Sequence, residues 1–221
     1  MSKKLVLVIL VVFTLASCNV YRTINFNADQ SGSIESRVDM SAMMGMMGEN
    51  GGGTNPMMSA TDMKEFDKTK SELESIQGIT NVQLSYDTTG IITTSYSFNS
   101  AEALNKGLGV GSYSQNVVLG MGQEASKKPS TIKYNGKKFM WTEIDKNTLK
   151  KMQSQDTKKE MGEMDMMLAS SKINTSITFP SSIKKVSYKN AVITNDRTVS
   201  YVMSLKEYLS TDYKPLVIIL K

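Results

Sequence analysis

Apolar and polar residues alternate with a period of two in several short runs, each broken by turn chemistry. Residues 33–40 set Ile34, Ser36, Val38 and Met40 against Ser33, Glu35, Arg37 and Asp39, the mark of a half-buried strand. Residues 21–27 set Tyr21 and Thr23 against Arg22, Ile24 and Phe26. Ala28-Asp29-Gln30-Ser31-Gly32 lies between the two runs and suits a tight turn, so a hairpin is predicted. A second hairpin is predicted around Asp87-Thr88-Thr89-Gly90, between Val82, Leu84, Tyr86 and Ile92, Thr94, Tyr96, Phe98. A third is predicted at Asn135-Gly136, a strong turn signal, and it carries Trp141, the only tryptophan. Further on, Ile173, Thr175, Ile177 and Phe179 alternate until Pro180, which removes a ladder donor. Strands are expected at 183–188 and 191–194, with Asn195-Asp196 turning the chain into Val199, Tyr201, Met203 and Leu205. Residues 214–221 are expected to supply a closing strand.

The spacing becomes helical in three places. Ser59-Ala60-Thr61-Asp62 fits a capping pattern, Met63, Phe66, Leu73 and Ile76 share a face that Lys70 interrupts, and Gly78 is placed to stop the helix. Ser100 suits the start of a short helix through Leu104. After it, 107–130 is glycine-rich and polar and is expected to be an irregular excursion. Asp145 opens a stretch with Leu149 and Met152, interrupted by the polar segment 153–159 before Met161, Met164, Met167 and Leu168. Residues 41–58 combine Met43, Met44, Met46, Met47, Met57 and Met58 with Gly51-Gly52-Gly53. Glycine at that density disfavours regular structure, so a mobile loop is expected. The prediction is an α+β fold: an antiparallel sheet built from successive β-hairpins with interleaved helices on one face. It forms one domain over 18–221.

The first seventeen residues stand outside that domain. Lys3 and Lys4 precede an apolar run from Leu5 to Leu15 that only Thr14 interrupts, and Ala16-Ser17 lead to Cys18, the single cysteine. This is the layout of an export signal, and it is too short to span a bilayer. Leu15-Ala16-Ser17-Cys18 resembles the lipobox of bacterial lipoproteins. That resemblance implies cleavage before Cys18 and acylation of Cys18 as the membrane anchor. Asp29-x-Ser31-Gly32 leading into a strand, and Thr178-Phe179-Pro180 followed by a Lys-rich turn, resemble Bacteroidetes lipoproteins. More distantly they are similar to the mycobacterial lipoprotein M domain. These resemblances imply an α+β fold and an engagement with envelope lipids, but place none of that family's lipid-contacting residues here. Asn19 does not match the Asp that favours inner-membrane retention in enteric lipoproteins. The segment 19–23 also lacks the acidic cluster of surface-exported ones. The expected location is the outer membrane, facing the periplasm.

Composition narrows the chemistry. The chain has no histidine, which removes the commonest general acid-base group and every Ser-His or Cys-His pairing. With Cys18 acylated, disulfides and thiolate chemistry are excluded as well. The 26 basic residues, less Lys3 and Lys4, against 21 acidic ones leave about +3. That is too mild and too scattered for nucleic acid. Methionine is abundant, with 17 residues. The clusters over 40–63 and 161–167 raise an alternative role in Cu(I) or Ag(I) binding, because thioethers are soft ligands. Their plainer reading is adaptable apolar surface.

Other motifs weigh little. Gly107-x-Gly109-x-Gly111 lacks the context of a nucleotide loop and is expected to be a flexible loop. Glu160, Glu163 and Asp165 with Asp156 fit a solvated helix face. Asp87-Thr88-Thr89 resembles the O-glycosylation sequon of Bacteroidetes envelope proteins, with Thr88 the acceptor. Ser181-x-x-Lys184 has a nucleophile's spacing but lies between strands. The functional expectation is a non-enzymatic binding or assembly module that contacts the membrane through Cys18, with a lipid or an envelope protein as partner. No catalytic residue, metal site or cofactor is expected.

Overall fold

A computed structural model describes residues 19–41, 60–118, 130–142, 170–208 and 214–221. The signal segment, Cys18, the Met/Gly-rich stretch after Ser41 and the expected third helical region lie outside the described residues.

Seven strands form one sheet in the order β3-β4-β2-β1-β7-β10-β9. These are β1 (Asn19–Phe26), β2 (Gly32–Asp39), β3 (Ile79–Tyr86), β4 (Ile91–Phe98), β7 (Lys172–Thr178), β9 (Val192–Asn195) and β10 (Thr198–Ser204). The predicted hairpins β1–β2 and β3–β4 form and join through β2 and β4. Three Asp-x-Ser/Thr turns organise this half by one geometry. In each, the Asp Oδ1 accepts both the backbone N–H and the hydroxyl two residues on: Asp29 with Ser31, Asp39 with Ser41, and Asp87 with Thr89.

Two features differ from a single antiparallel sheet. First, β1 and β7 pair in parallel, Asn19 beside Lys172 and Asn25 beside Thr178, so the sheet is mixed. Second, a separate four-stranded sheet has the order β5-β6-β11-β8, from β5 (Thr131–Tyr134), β6 (Lys138–Thr142), β8 (Ile183–Val186) and β11 (Leu216–Leu220). The strand expected to close the fold, β11, lies inside this second sheet between β6 and β8. Its run Leu-Val-Ile-Ile-Leu suits an interior strand. Local pattern does not encode either pairing, because the strands that pair are not neighbours in sequence.

The inward positions of the large sheet fall into cross-strand rows. Tyr96, Ile34, Ile24, Ile177 and Val199 form one row, and Ile92, Val38, Val20, Ile173 and Met203 another. The first row belongs to the main core, which also takes Ile132, Phe139, Trp141, Leu216 and Ile218 from the small sheet. Val20, Val38, Ile92 and Ile173 belong instead to a smaller cluster with Leu205. Fully burying each large apolar side chain contributes about 1.5–3 kcal/mol. The core is rich in rings: Phe26, Phe98, Phe139 and Phe179 meet at centroid distances of 5.4–5.7 Å. Gly32 lies between Phe26 and Phe98 in the register, and a methyl group there would come 2.6 Å from the Phe98 ring.

Helix α1 (Ala60–Ser75) packs on β3 and on α2 (Ala101–Val118). Its buried stripe uses Thr69, at 6% exposure, where the apolar count skips, and Lys70 points to solvent beside Glu74. The helix ends at Ser75, and Gly78, with φ of +91°, turns the chain into β3 through the bond from the Ile79 N–H to the Ile76 carbonyl. Helix α2 corrects an expectation. Ser100 does cap it, its Oγ accepting the N–H of Ala103, but the helix runs on to Val118 rather than stopping at Leu104. Gly107, Gly109 and Gly111 are therefore helical, not a loop. The physical reason is close packing: a methyl at Gly107 would sit 2.6 Å from the Tyr96 hydroxyl and 2.7 Å from Ile79 Cδ1. Tertiary contact outweighs the roughly 1 kcal/mol that a glycine costs a helix. A third, four-residue helix α3 (Leu205–Tyr208) follows β10. It starts with a reciprocal cap in which Ser204 Oγ accepts the Glu207 N–H and Glu207 Oε2 accepts the Ser204 N–H. No described helix is long and apolar enough to cross a membrane.

Candidate functional site

The outward face of the large sheet has an unusual composition. One cross-strand row reads Thr80, Ser97, Ser33, Asn25, Thr178 and Thr198. The next reads Gln83, Ser95, Glu35, Thr23, Ser176 and Ser200. Glu35 is the only charged side chain in these two rows. A solvated sheet face ordinarily mixes Lys, Arg, Glu and Asp. Here short hydroxyl and amide groups stand on adjacent strands about 4.8 Å apart.

Several of these groups bond to one another. The Thr178 and Thr198 hydroxyls lie 3.0 Å apart, Ser200 donates to Ser176 Oγ at 3.3 Å, and Asn81 Nδ2 donates to Ser97 Oγ at 3.3 Å. Asn81 is placed by a register shift in β3 between Thr80 and Gln83, and it adopts the left-handed conformation with φ of 55°. Asn tolerates that region better than most residues.

This geometry opens a depression of about 330 Å³ across β1–β4. Small side chains make its floor, Ser33 on β2 with Ser95 and Ser97 on β4. Larger ones line it on both sides, Asn81 and Gln83 from β3 and Thr23 and Asn25 from β1. Its donors and acceptors are almost all neutral. The arrangement can hold an uncharged ligand by many hydrogen bonds, with Glu35 as one anionic acceptor.

A polar row also lies inside the sheet. Thr94, Ser36, Arg22, Thr175 and Tyr201 are register neighbours. The Arg22 guanidinium carbon lies 5.8 Å from the Trp141 ring centroid, a cation–π distance. Tyr96 Oη, Trp141 Nε1 and Thr175 Oγ1 are buried without a hydrogen-bond partner. Burial pushes the Tyr96 phenol well above its ordinary value, against a smaller opposing effect of Arg22.

Most of the residues singled out from sequence lie outside the described residues. Cys18, the acidic group at 156–165 and the Met clusters lie outside the described residues, apart from Met40 and the backbone of Met63. Met40 is half-buried against the smaller cluster, as apolar packing would have it. Among the described residues no group of three His, Cys, Asp or Glu could hold a metal. Ser181 sits in the turn before β8, and Lys184 is exposed on β8. Thr88 is exposed at the β3–β4 turn. The outer face was overlooked in the sequence because its positions read only as the wet side of each strand. The signal was there: Ser, Thr and Asn recur where Lys and Glu are the usual choice.

The described fold is α+β, mostly sheet, with two sheets sharing a core and one broad polar face. No family model matches the chain, and no curated protein does. Among solved structures it is similar to the NMR structure of the folded domain of Mycobacterium tuberculosis LppM. The two are 12% identical with a TM-score of 0.42, covering 92% of this chain and 89% of that one. Nothing about activity follows from a likeness at this level.

Proposed function

We propose that this chain is a cell-envelope lipoprotein, tethered through Cys18 at the outer membrane, whose domain acts as a non-enzymatic binding module facing the periplasm. The lipobox-like Leu15-Ala16-Ser17-Cys18 supports the tether. The observation that carries the binding role is the charge-depleted outer face with its depression between Ser33, Ser95 and Ser97. Charge depletion is also what distinguishes the centres of protein interfaces from ordinary surface. A partner for this face is neutral and rich in hydrogen-bonding groups, so that its donors and acceptors replace those of water.

Two measurements test the reading. Intact mass of the membrane-extracted protein is expected to begin at acylated Cys18, and Cys18→Ala is expected to leave the membrane fraction. Amide NMR of the domain titrated with chitotetraose and cellotetraose, as neutral hydrogen-bonding probes, is expected to shift resonances of Ser33, Ser95 and Ser97. Ser97→Lys, which sets a charged side chain in the depression, is expected to weaken binding at least ten-fold. An unacylated mass, or a face unmoved by either probe, overturns the corresponding half.

A further inference from the structure

The tether and the fold meet without a spacer. Strand β1 begins at Asn19, already paired with Asp39 on one side and Lys172 on the other, and Asn19 directly follows Cys18 in the sequence. One residue step is about 3.8 Å. In the sheet order β1 is the middle strand, with three strands on each side. Among the described residues, the rim at this end collects the β3–β4 turn, Met40, Lys172 and α3. They are tied by hydrogen bonds from the Met40 N–H to the Gly90 carbonyl and from the Leu205 N–H to the Ser171 carbonyl.

Resting on the anchor reading above, we infer that this rim is a membrane-contact surface and that the domain stands on the bilayer with its strands along the membrane normal. A one-residue tether at the centre of a seven-stranded rim brings the strand ends on both sides against the headgroups. A tether at an edge strand would let the domain tip. The smaller cluster lies at this end, and half-buried Met40, Tyr86 and Tyr208 pack against it. Side chains with an apolar body and a polar tip suit the headgroup level. Among the described residues the charges of this rim balance in sign, Arg37, Lys172 and Lys206 against Asp39, Asp87 and Glu207. In this reading adhesion comes from the tether, and the described rim charges give no net pull toward anionic lipid. The polar depression then stands clear of the headgroups. At about 3.3 Å per residue along β1, Thr23 and Asn25 stand about 13–20 Å above Asn19, opening sideways over the membrane.

The test uses the lipidated full chain in phosphatidylcholine vesicles that carry a headgroup nitroxide quencher. Because Cys18 is the only cysteine and is acylated in this reading, a fluorophore can be placed at Lys206→Cys on the rim or at Ala28→Cys in the far β1–β2 turn. Quenching at position 206 is expected to exceed that at 28 at least three-fold, and to be unchanged by 0.5 M salt or by added anionic lipid, because salt screens only charge attraction. A ten-residue Gly/Ser spacer inserted between Cys18 and Asn19 is expected to abolish the difference. Equal quenching at the two positions, on a chain whose mass shows acylated Cys18, overturns the rim and leaves the anchor standing. A chain of unacylated mass overturns the anchor and the rim with it.

Discussion

The guanidinium of Arg22 lies over the ring of Trp141, 5.8 Å from its centroid, and so joins the middle strand of the large sheet to β6 of the small one. Both residues sit between the sheets, Trp141 at 1% exposure. Such a contact is worth about 0.5–2 kcal/mol when partly desolvated. Arg22→Met keeps much of the aliphatic stem and removes the cation. It is expected to lower the urea midpoint by an amount equivalent to about 1–2 kcal/mol and to shift the emission of the only tryptophan. Unchanged emission and an unchanged midpoint would show that the contact carries no weight.

Gly107 and Tyr96 make a second pair. In an open helix Gly→Ala stabilises by about 1 kcal/mol. Here the new methyl meets the Tyr96 hydroxyl at 2.6 Å and Ile79 Cδ1 at 2.7 Å, so Gly107→Ala is expected to destabilise by about 1–3 kcal/mol, as overpacking does. Tyr96→Phe removes a buried hydroxyl that has no partner. Alone it is expected to be neutral or to stabilise by about 1 kcal/mol. Combined with Gly107→Ala, it is expected to recover part of the loss. Thermal unfolding of the two single variants and the double variant measures the coupling.

Two exposed turns contribute to the acid response. The Ser31 hydroxyl, then its N–H, holds the Asp29 carboxyl below its ordinary value. The Thr89 hydroxyl, then the Ile91 N–H, does the same for Asp87. A carboxyl lowered in the folded state contributes stability that is present above the unfolded value, near 3.8, and is lost as pH falls through the lower folded one. Asp87→Asn is expected to flatten the stability curve below about pH 4 while leaving its slope near neutrality unchanged. At the alkaline end the sign reverses. Tyr96 is raised by burial, so its contribution is present below the unfolded value and is lost as pH climbs above about 10. Tyr96→Phe is expected to flatten that limb. Denaturant midpoints measured across pH check both.

Asn105 guards a sheet edge. Its Oδ1 accepts the Ile132 N–H at 2.6 Å, and its Nδ2 donates to the Ile132 carbonyl at 2.8 Å, as a further strand would. Asn105→Leu is expected to cost about 1–3 kcal/mol, because both Ile132 groups lose their partner. It also leaves β5 with an open edge prone to pairing. Light scattering during refolding, beside the unfolding midpoint, reads both effects.

Much of the local structure was legible. The hairpins at Asp29 to Gly32, Asp87 to Gly90 and Asn135-Gly136 follow from turn residues between alternating runs, because both signals act within a few residues. The end of α2 was not. Gly107 to Gly111 reads as a loop until Tyr96 and Ile79 are placed against it. The capping box at Ser204 and Glu207 was written in the chain but hidden by the strand pattern running into Leu205. The candidate site lay deeper still. Ser33, Ser97, Asn25 and Thr178 come from four strands, and no one strand shows more than alternate polar positions.

The sequence by itself determined which residues turn the chain, which side of each strand goes inward, and that His-based chemistry is unavailable, because composition and period-two spacing are local properties. Only the tertiary structure decided that β1 pairs in parallel with β7, that β11 lies inside a second sheet, and that Arg22 reaches Trp141. β1 and β7, like Arg22 and Trp141, are separated by more than a hundred residues, and β11 is remote in sequence from β6; a strand's pattern records which face is buried without recording which strand lies beside it. The same pairings align scattered serines, threonines and asparagines into continuous rows and so make the polar face a surface rather than a set of wet positions.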